Sequence, residues 1–330
     1  MSAIEKLEPF RIEPAFVGRI WGSRDLRPWY DFVATGDPVG EVWLTGDQCL
    51  AGSGSLQGKT VREIFAGHSL VMLGESAPDW AVGASPLLMK VIFAKEKLSV
   101  QVHPDDRLAQ KYGQPRGKTE CWYALEADAG AEVAAGLKPG VTLEQVEAGV
   151  KDGTLEESLE VLPVKAGDLV FVDAGTVHAI WPGSVLLETQ QNSDITYRLY
   201  DYGRPRELHV AKAIEAIRLE TDAGKVAPEE LGDRTVLVDG AYFEVERVPV
   251  TGGRTDESLR KPGEAGGLTY LFAAEGAGVV RPRGAGDFAP VLLPKCGIVA
   301  VPAESAEWEI EPGVDGLQVI RIVTKFPGVA

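Results

Sequence analysis

Cysteine is scarce in this chain of 330 residues, and its three cysteines, Cys49, Cys121 and Cys296, lie far apart. Thiols this few and scattered exclude a disulfide framework and a cysteine-based metal site. An odd number of cysteines favours a reducing compartment, and the first eight residues contain no apolar signal core. No stretch approaches the roughly 18 apolar residues that a membrane-spanning helix needs. We therefore predict a cytoplasmic protein that does not enter a membrane.

Positive charge is also in short supply. The chain has 33 Lys and Arg against 49 Asp and Glu, a formal net charge of −16. This balance argues against nucleic acid or an anionic membrane as a partner. An acidic surface also repels a sugar phosphate unless the binding site is locally basic, so any Lys or Arg near a candidate site deserves notice.

Turn-forming residues are abundant, with 38 Gly and 21 Pro, and 45% of the residues are hydrophobic. Short apolar segments between these turns predict a mainly β fold with a sizeable core. Two helical patterns, 141–150 and 155–162, predict a small helical insertion at about 140–163. A further amphipathic helix is expected at about 207–219. Thr60 and Glu63 have the spacing of a helix capping box.

A weak internal repeat relates two β segments of the chain. Residues 165–178 are similar to residues 295–307 if one residue is deleted, and the second copy contains no histidine. Two copies of one β-barrel unit, of which only the first binds a metal, are the simplest explanation. With a polar boundary near 220–235, this predicts a metal-binding domain over 1–225 and a metal-free β domain over 226–330.

The segment Leu98-Ser-Val-Gln-Val-His103 alternates like a strand. Alternation places Ser99, Gln101 and His103 on one face, and a polar strand face is unusual unless it lines a site. The turn at 95–98 also makes a hairpin with the preceding apolar segment 86–94 plausible.

Glu120 and His178 complete a possible ligand set with Gln101 and His103. Two imidazoles, one carboxylate and one amide are suitable ligands for a divalent metal, Zn²⁺ first, with Fe, Mn, Co or Ni possible. The alternative, two structural histidines each satisfied by one hydrogen bond, is favoured for a lone histidine but less for this joint pattern. A divalent ion held by one carboxylate keeps a formal charge of +1, which suits Lewis-acid work on a carbonyl.

Four cations of the sequence could supply a phosphate site: Lys90, Lys118, Arg198 and Arg204. Each of them could instead be a solvated surface residue. For Lys90, inside an apolar run, the alternatives are a snorkelling side chain at a strand edge and an ammonium directed into a cavity. The residue pattern leaves both open.

Four motifs resemble type I mannose-6-phosphate isomerase, a cupin family, and its short bacterial form most closely: Leu98-Ser-Val-Gln-Val-His-Pro-Asp-Asp106, Gly117-Lys-Thr-Glu-Cys-Trp122, Ala174-Gly-Thr-Val-His-Ala179 and the segment 188–203. The resemblance implies two cupin-type jelly-roll β-barrels with a small helical insertion. One difference from the family pattern is Asp173, where proline is usual, which predicts a looser turn before His178.

The resemblance also implies a function for individual residues. It implies that Gln101, His103, Glu120 and His178 bind one Zn²⁺ per chain. It implies an enzyme that interconverts mannose 6-phosphate and fructose 6-phosphate through an enediol. The base would be Lys118, Glu188 or a metal-bound water, and Arg198 would be important for turnover. The residues that it places in the sugar-phosphate pocket are Glu41, Lys90, Ser99, Lys118, Glu188 and Arg198.

Three rival functions follow from the same residues. One is a related cupin isomerase for another sugar phosphate, and the second is a cupin that binds a sugar phosphate without catalysis. The third is a cupin oxygenase, which would use an open iron site with three histidines. It is disfavoured because one Gln and one Glu are among the candidate ligands here. The oligomeric state is left open by the sequence.

Overall fold

The computed structural model of the chain describes residues 6–259, 267–284 and 287–328. In the first two thirds of the chain the strands are β1 Phe10–Ile12, β2 Ala15–Ser23, β3 Val39–Trp43, β4 Leu87–Ala94, β5 Val100–Val102, β6 Glu120–Ala127, β7 Glu132–Leu137, β8 Leu159–Pro163, β9 Leu169–Val172, β10 His178–Ile180, β11 Ser184–Gln191, β12 Tyr197–Tyr200 and β13 Gly224–Lys225. Those that follow are β14 Glu229–Glu230, β15 Thr235–Asp239, β16 Phe243–Val250, β17 Arg254–Thr255, β18 Thr269–Pro282, β19 Val291–Leu293, β20 Ile298–Val301 and β21 Trp308–Thr324.

The helices are short and few. They are α1 Val61–Leu73, α2 Asp106–Lys111, α3 Leu143–Asp152, α4 Val210–Ala216 and α5 Asp256–Leu259, with 3₁₀ turns at Asp79–Ala81 and Leu155–Ser158. The Thr60–Glu63 capping box is confirmed, because each side chain bonds the other's backbone N–H. No helix in the described ranges is long and apolar enough to cross a membrane.

The described strands form three open sheets, which confirms the mainly β class. A seven-stranded sheet has the order β13-β9-β6-β11-β4-β3-β2, and a five-stranded sheet has the order β12-β5-β10-β7-β8. Their inner faces meet, since Trp122 of the first sheet contacts His178 of the second at 5.5 Å between ring centroids. This is the two-sheet arrangement of a jelly roll.

The third sheet has nine strands and is built mainly from the last hundred residues. Strand β1 joins it at the edge, through pairing of Phe10 with Ala300. One apolar cluster fills the space between this sheet and the seven-stranded sheet, with Met89 and Tyr123 on one side and Phe243 and Ile320 on the other. The two-domain division at residue 225 stays a prediction, although strand pairing does change sheets between β13 and β14.

Two local predictions are wrong. The segment 155–162 is one 3₁₀ turn followed by β8, because Val161 and its neighbours pair with β7. The expected hairpin of 86–94 with the following strand is also absent: β4 pairs with β3 and β11, whereas β5 pairs with β10 and β12. The turn after β4 therefore crosses from one sheet to the other. Helix α4 is shorter than expected, since it spans only Val210–Ala216.

Candidate active site and metal centre

Three polar residues lie side by side on the five-stranded sheet. His178 of β10 pairs with Gln101 of β5, and Gln101 pairs on its other side with Arg198 of β12. His103 follows β5 one alternation after Gln101. This register brings residues from three separate parts of the sequence into one row.

The facing seven-stranded sheet supplies the acidic side chains. Glu188 of β11 lies between Lys90 of β4 and Trp122 of β6, and Gln190 of the same strand pairs with Glu120. The indole N–H of Trp122 donates to Glu188 Oε1 at 3.2 Å. Both sheets therefore direct polar groups into the space between them, where apolar packing would be usual.

A compact group of His103, Glu120 and His178 fulfils the geometric requirement for a metal site. One ligand atom from each lies within 4.8 Å of the others, and all three side chains are buried. Glu120 Oε2 is 3.6 Å from His103 Nε2, and Glu120 Oε1 is 3.5 Å from His178 Nε2. Gln101 Nε2 is 3.2 Å from His178 Nε2, which brings the fourth predicted ligand to the same point.

The two imidazoles are held in the tautomer that a metal needs. His103 Nδ1 is 2.7 Å from the Ile195 carbonyl, and His178 Nδ1 is 2.9 Å from the Thr176 carbonyl. A carbonyl only accepts, so each Nδ1 carries the proton and each Nε2 presents a lone pair to the centre. Burial lowers the pKa of both rings, that of His178 to about 4, which keeps them neutral.

Glu120 is a buried carboxylate whose hydrogen bonding is incomplete. Neither of its oxygens has a hydrogen bond of acceptable geometry, although both are buried and Lys118 Nζ lies 2.8 Å from Oε2. Burial raises its pKa to about 7, against the attraction of Lys118. Two neutral imidazoles and an under-satisfied buried carboxylate fit a divalent metal, which would compensate this burial. The amide of Gln101 can present its oxygen instead of its nitrogen by a half-turn of the group.

The ammonium of Lys90 faces a carboxylate and not solvent, so the snorkelling interpretation is wrong. Lys90 is 3% exposed, and its Nζ lies 2.8 Å from Glu188 Oε2 and 4.0 Å from Glu41 Oε1. Burial alone would raise the pKa of Glu188, but Lys90 and Lys118 outweigh it and lower this pKa to about 2. Glu188 is therefore ionised inside the cavity.

Arg198 lies beside Ser99 at one end of the site, and its partners are hydroxyl and carbonyl groups. Arg198 Nε donates to Ser99 Oγ at 3.3 Å, and Nη1 donates to the Glu207 carbonyl at 2.8 Å. Ser99 Oγ in turn donates to Gln101 Oε1 at 3.1 Å. These partners are a carbonyl and a hydroxyl, and no carboxylate of the described residues forms an ion pair with Arg198, so its guanidinium can still bind an anion.

These groups share one cavity of about 430 Å³. All six residues that the family resemblance implies for the pocket line it, together with Gln101: Glu41, Lys90, Ser99, Lys118, Glu188 and Arg198. The lining contains five cations and three carboxylates, so this site is locally basic in an acidic protein. Sequence reasoning missed four polar residues of the lining: Arg19, Asp194, Thr196 and Arg206.

Two expectations about the surroundings are corrected. Arg204 does not line this cavity, because it bonds the Lys97 carbonyl and Glu96 instead. The turn before His178 is closed rather than loose, because the carboxylate of Asp173 accepts from Thr176 Oγ1 at 2.9 Å.

Breaking the buried Lys90–Glu188 pair should be costly. We expect Lys90→Met to lower the free energy of unfolding by about 3–5 kcal/mol, because Glu188 is left buried without its nearest cation. The double variant Lys90→Met/Glu188→Gln should recover most of that loss. Urea unfolding followed by tryptophan fluorescence measures both, with the exposed Lys59→Met as the control. Equal losses in the single and double variants would contradict this explanation.

Gly117 is a close-packed position that sets the path of the chain into Lys118. A Cβ at Gly117 would lie 2.5 Å from the Asp105 carbonyl carbon and 2.5 Å from the Pro104 oxygen. Gly117→Ala must therefore displace the backbone before Lys118, and we expect turnover to fall by about tenfold or more. Gly36→Ala is the matched control, since nothing lies within 4 Å of its Cβ. Unchanged turnover in Gly117→Ala would show that this segment has room to adjust.

Comparisons with known proteins all identify the same family. A family model for the catalytic domain of type I phosphomannose isomerase matches residues 10–160. The chain is 36% identical over 260 residues to mannose-6-phosphate isomerase ManA of Bacillus subtilis, which covers 74% of this chain and 80% of that protein. It is 34% identical over 259 residues to the mannose-6-phosphate isomerase of Streptococcus mutans, with the same coverage.

The fold agrees with these sequences. A crystal structure of mannose 6-phosphate isomerase from Bacillus subtilis superimposes with a TM-score of 0.82 at 29% identity, over 96% of this chain and 99% of that one. Fold and site together define a jelly-roll isomerase with a candidate metal centre between two sheets. The chain belongs to the type I phosphomannose isomerase family.

Proposed function

We propose that this protein is a zinc-dependent aldose–ketose isomerase that interconverts mannose 6-phosphate and fructose 6-phosphate through an enediol. The observation that carries the proposal is a buried His103–Glu120–His178 group at the edge of a cavity lined by Lys118, Glu188 and Arg198. Two residues of the lining, Gln101 and Lys118, contact His178 and Glu120 directly. The names of the sequence relatives support the substrate.

Gln101, His103, Glu120 and His178 would hold one Zn²⁺ per chain. The two Nε2 lone pairs and the under-satisfied carboxylate support this ligand set. A bound Zn²⁺ would polarise the oxygens on C1 and C2 of the sugar, which acidifies the neighbouring C–H.

Arg198 and Ser99 would bind the phosphate. Among the residues that the structure describes, Arg198 has no ion-pair partner, whereas Lys90 is already neutralised by Glu188 and Glu41. A guanidinium and a hydroxyl can each donate to phosphate oxygens. Lys90 then keeps Glu188 charged and fixed, so that its carboxylate accepts hydrogen bonds from the sugar hydroxyls.

Proton transfer between C1 and C2 would fall to Lys118. A carboxylate with a pKa of about 2, such as Glu188, is a poor match for a proton acceptor near neutral pH. Lys118 Nζ lies at the metal end of the cavity, 3.1 Å from His103 Nε2 and 2.8 Å from Glu120 Oε2. We therefore assign Glu188 to orientation and Lys118 to the proton.

A coupled assay with mannose 6-phosphate tests this proposal. Turnover should be present in the metal-loaded protein, disappear after treatment with a chelator and return when Zn²⁺ is added. Glucose 6-phosphate serves as the competing substrate. A folded, metal-loaded protein that turns over glucose 6-phosphate but not mannose 6-phosphate would refute the substrate assignment. The cytoplasmic location stays a prediction.

A further inference from the structure

A second cavity, of about 720 Å³, lies outside the catalytic one and shares none of its lining residues. Its walls include Trp80, Val82, Ser85, Asp106, Arg116 and Asn192. Two chain segments connect the cavities: Arg116 lies two residues before Lys118, and Asn192 lies two residues before Asp194. Each segment therefore contributes one residue to each cavity.

Arg116 is a buried cation that forms no ion pair with any described residue. Its side chain is 8% exposed, and one guanidinium nitrogen, Nη1, donates to the Ser85 carbonyl at 3.0 Å. Within the described ranges no carboxylate forms an ion pair with it, and burial lowers its pKa. A guanidinium has five N–H donors, so several remain to bind an anion. Burying a charge without compensation is costly, and an anionic ligand would remove that cost.

The wall beside Arg116 is apolar and accessible. Trp80 is 54% exposed and Val82 46% exposed, both large values for apolar side chains. The guanidinium carbon of Arg116 lies 5.7 Å from the centroid of the Trp80 ring. A cation next to an exposed indole suits a ligand with a negative group at one end and a flat apolar body.

Two carboxylates near Arg116 limit how much negative charge the cavity can accept. Asp106 is engaged by the Gly117 N–H, Gln191 and Tyr242, and Asp47 is engaged by Arg62 at 2.8 Å. Neither forms an ion pair with Arg116, although both attract its positive charge through space. Their negative charges nevertheless disfavour a dianion, so a monoanion is the better match.

We propose that this second cavity binds a small planar monocarboxylate, with its carboxylate on the guanidinium of Arg116 and its ring against Trp80 and Val82. This site is independent of the catalytic one, and its test needs no turnover. A fork of N–H donors suits the two oxygens of a carboxylate. Contact with the ring would remove the exposed apolar surface of Trp80 and Val82 from water, which favours binding.

Isothermal titration of the full-length, metal-loaded protein tests the site, with benzoate as the probe and benzamide as its neutral analogue. We expect benzoate to bind and benzamide to bind at least about tenfold more weakly. Arg116→Gln should weaken benzoate binding by a similar factor, whereas Arg107→Gln, which removes an exposed arginine nearby, should not. Equal affinities for benzoate and benzamide, or binding of inorganic phosphate in preference to benzoate, would overturn the proposal.

A rim substitution keeps the test valid if Arg116→Gln does not fold. Val82→Asp introduces a negative charge at an exposed position of the same wall, and Val82→Asn is its neutral match. We expect benzoate to bind several-fold more weakly to Val82→Asp than to Val82→Asn, because like charges repel. The same affinity in both variants, or loss of benzoate binding when mannose 6-phosphate is added, would place benzoate elsewhere and refute the site.

Discussion

His178→Ala should reduce bound metal from one per chain to less than about a tenth and lower turnover by about a thousandfold or more. His178 contributes one of two neutral Nε2 atoms, and its Nδ1 is fixed by the Thr176 carbonyl. Removing this imidazole leaves Glu120 buried with one histidine fewer to share a cation. Elemental analysis of dialysed protein gives the metal content, and the coupled assay gives the turnover.

His68→Ala is the matched control for this result. His68 lies on α1, and it is not part of the His103–Glu120–His178 group. Both its metal content and its turnover should equal those of the unsubstituted protein, and circular dichroism should show that all variants are folded. A His178→Ala variant that still holds one metal per chain would prove the ligand set wrong. Metal loss without loss of turnover would leave the ligand set intact and refute metal dependence.

The polar face of the strand around Gln101 is the part of the site that sequence predicted best. A period of two places Ser99, Gln101 and His103 on one side, and the structure confirms that these three side chains point to the same region. Alternation is a local property, since it depends only on backbone geometry. The alternation of side chains is therefore the same whichever strands lie next to this one.

Pairing between strands is not local, and the predictions that depended on it failed. Strands β4 and β5 are joined by a short turn, yet they belong to different sheets: every residue of β4 is buried, Lys90 included, whereas β5 carries the polar row. Residues 155–162 fit a helical period, but pairing with β7 converts their second half into β8. Short apolar runs fit both periods, and tertiary contacts decide between them.

Residues that reach a cavity from distant segments also escape sequence reasoning. Arg206 lines the catalytic cavity while Arg204, two residues earlier, does not. Arg206 is directed by a double hydrogen bond to the buried Asp201, whereas Arg204 reaches across to Glu96 and Lys97. No periodicity distinguishes these two arginines, because both lie in an irregular segment after β12.

The basic lining of this cavity explains how a protein with a net charge of −16 can attract an anionic sugar. Five of the cations gather here: Arg19, Lys90, Lys118, Arg198 and Arg206. Lys90 is compensated by Glu188, Lys118 by Glu120 at 2.8 Å, Arg19 by Glu41 at 2.8 Å, and Arg206 by Asp201. Within the described part of the chain, Arg198 is the one cation of these five without an ion pair. The positive charge that attracts the anionic substrate is therefore concentrated at Arg198, where the proposed phosphate site lies.

Arg198→Ala should lower kcat/KM for mannose 6-phosphate by about a hundredfold to ten-thousandfold. Binding energy from a remote phosphate holds the reacting carbons in place, so kcat is expected to fall together with a rise in KM. Arg198→Lys should recover only part of the loss, because an ammonium lacks the planar fork. Arg204→Ala is the matched control, since Arg204 bonds Glu96 outside the cavity, and it should stay within about threefold of the unsubstituted protein.

Mannose without its phosphate separates binding of the phosphate from a general structural effect. If Arg198 contacts the phosphate, the preference of the enzyme for mannose 6-phosphate over mannose should collapse in Arg198→Ala, because only the phosphorylated sugar loses a contact. A variant that is merely distorted near Ser99 would lose activity on both sugars in proportion and keep the preference. An unchanged preference would therefore move the phosphate site away from Arg198, and Arg206 would be the next arginine of the lining to test.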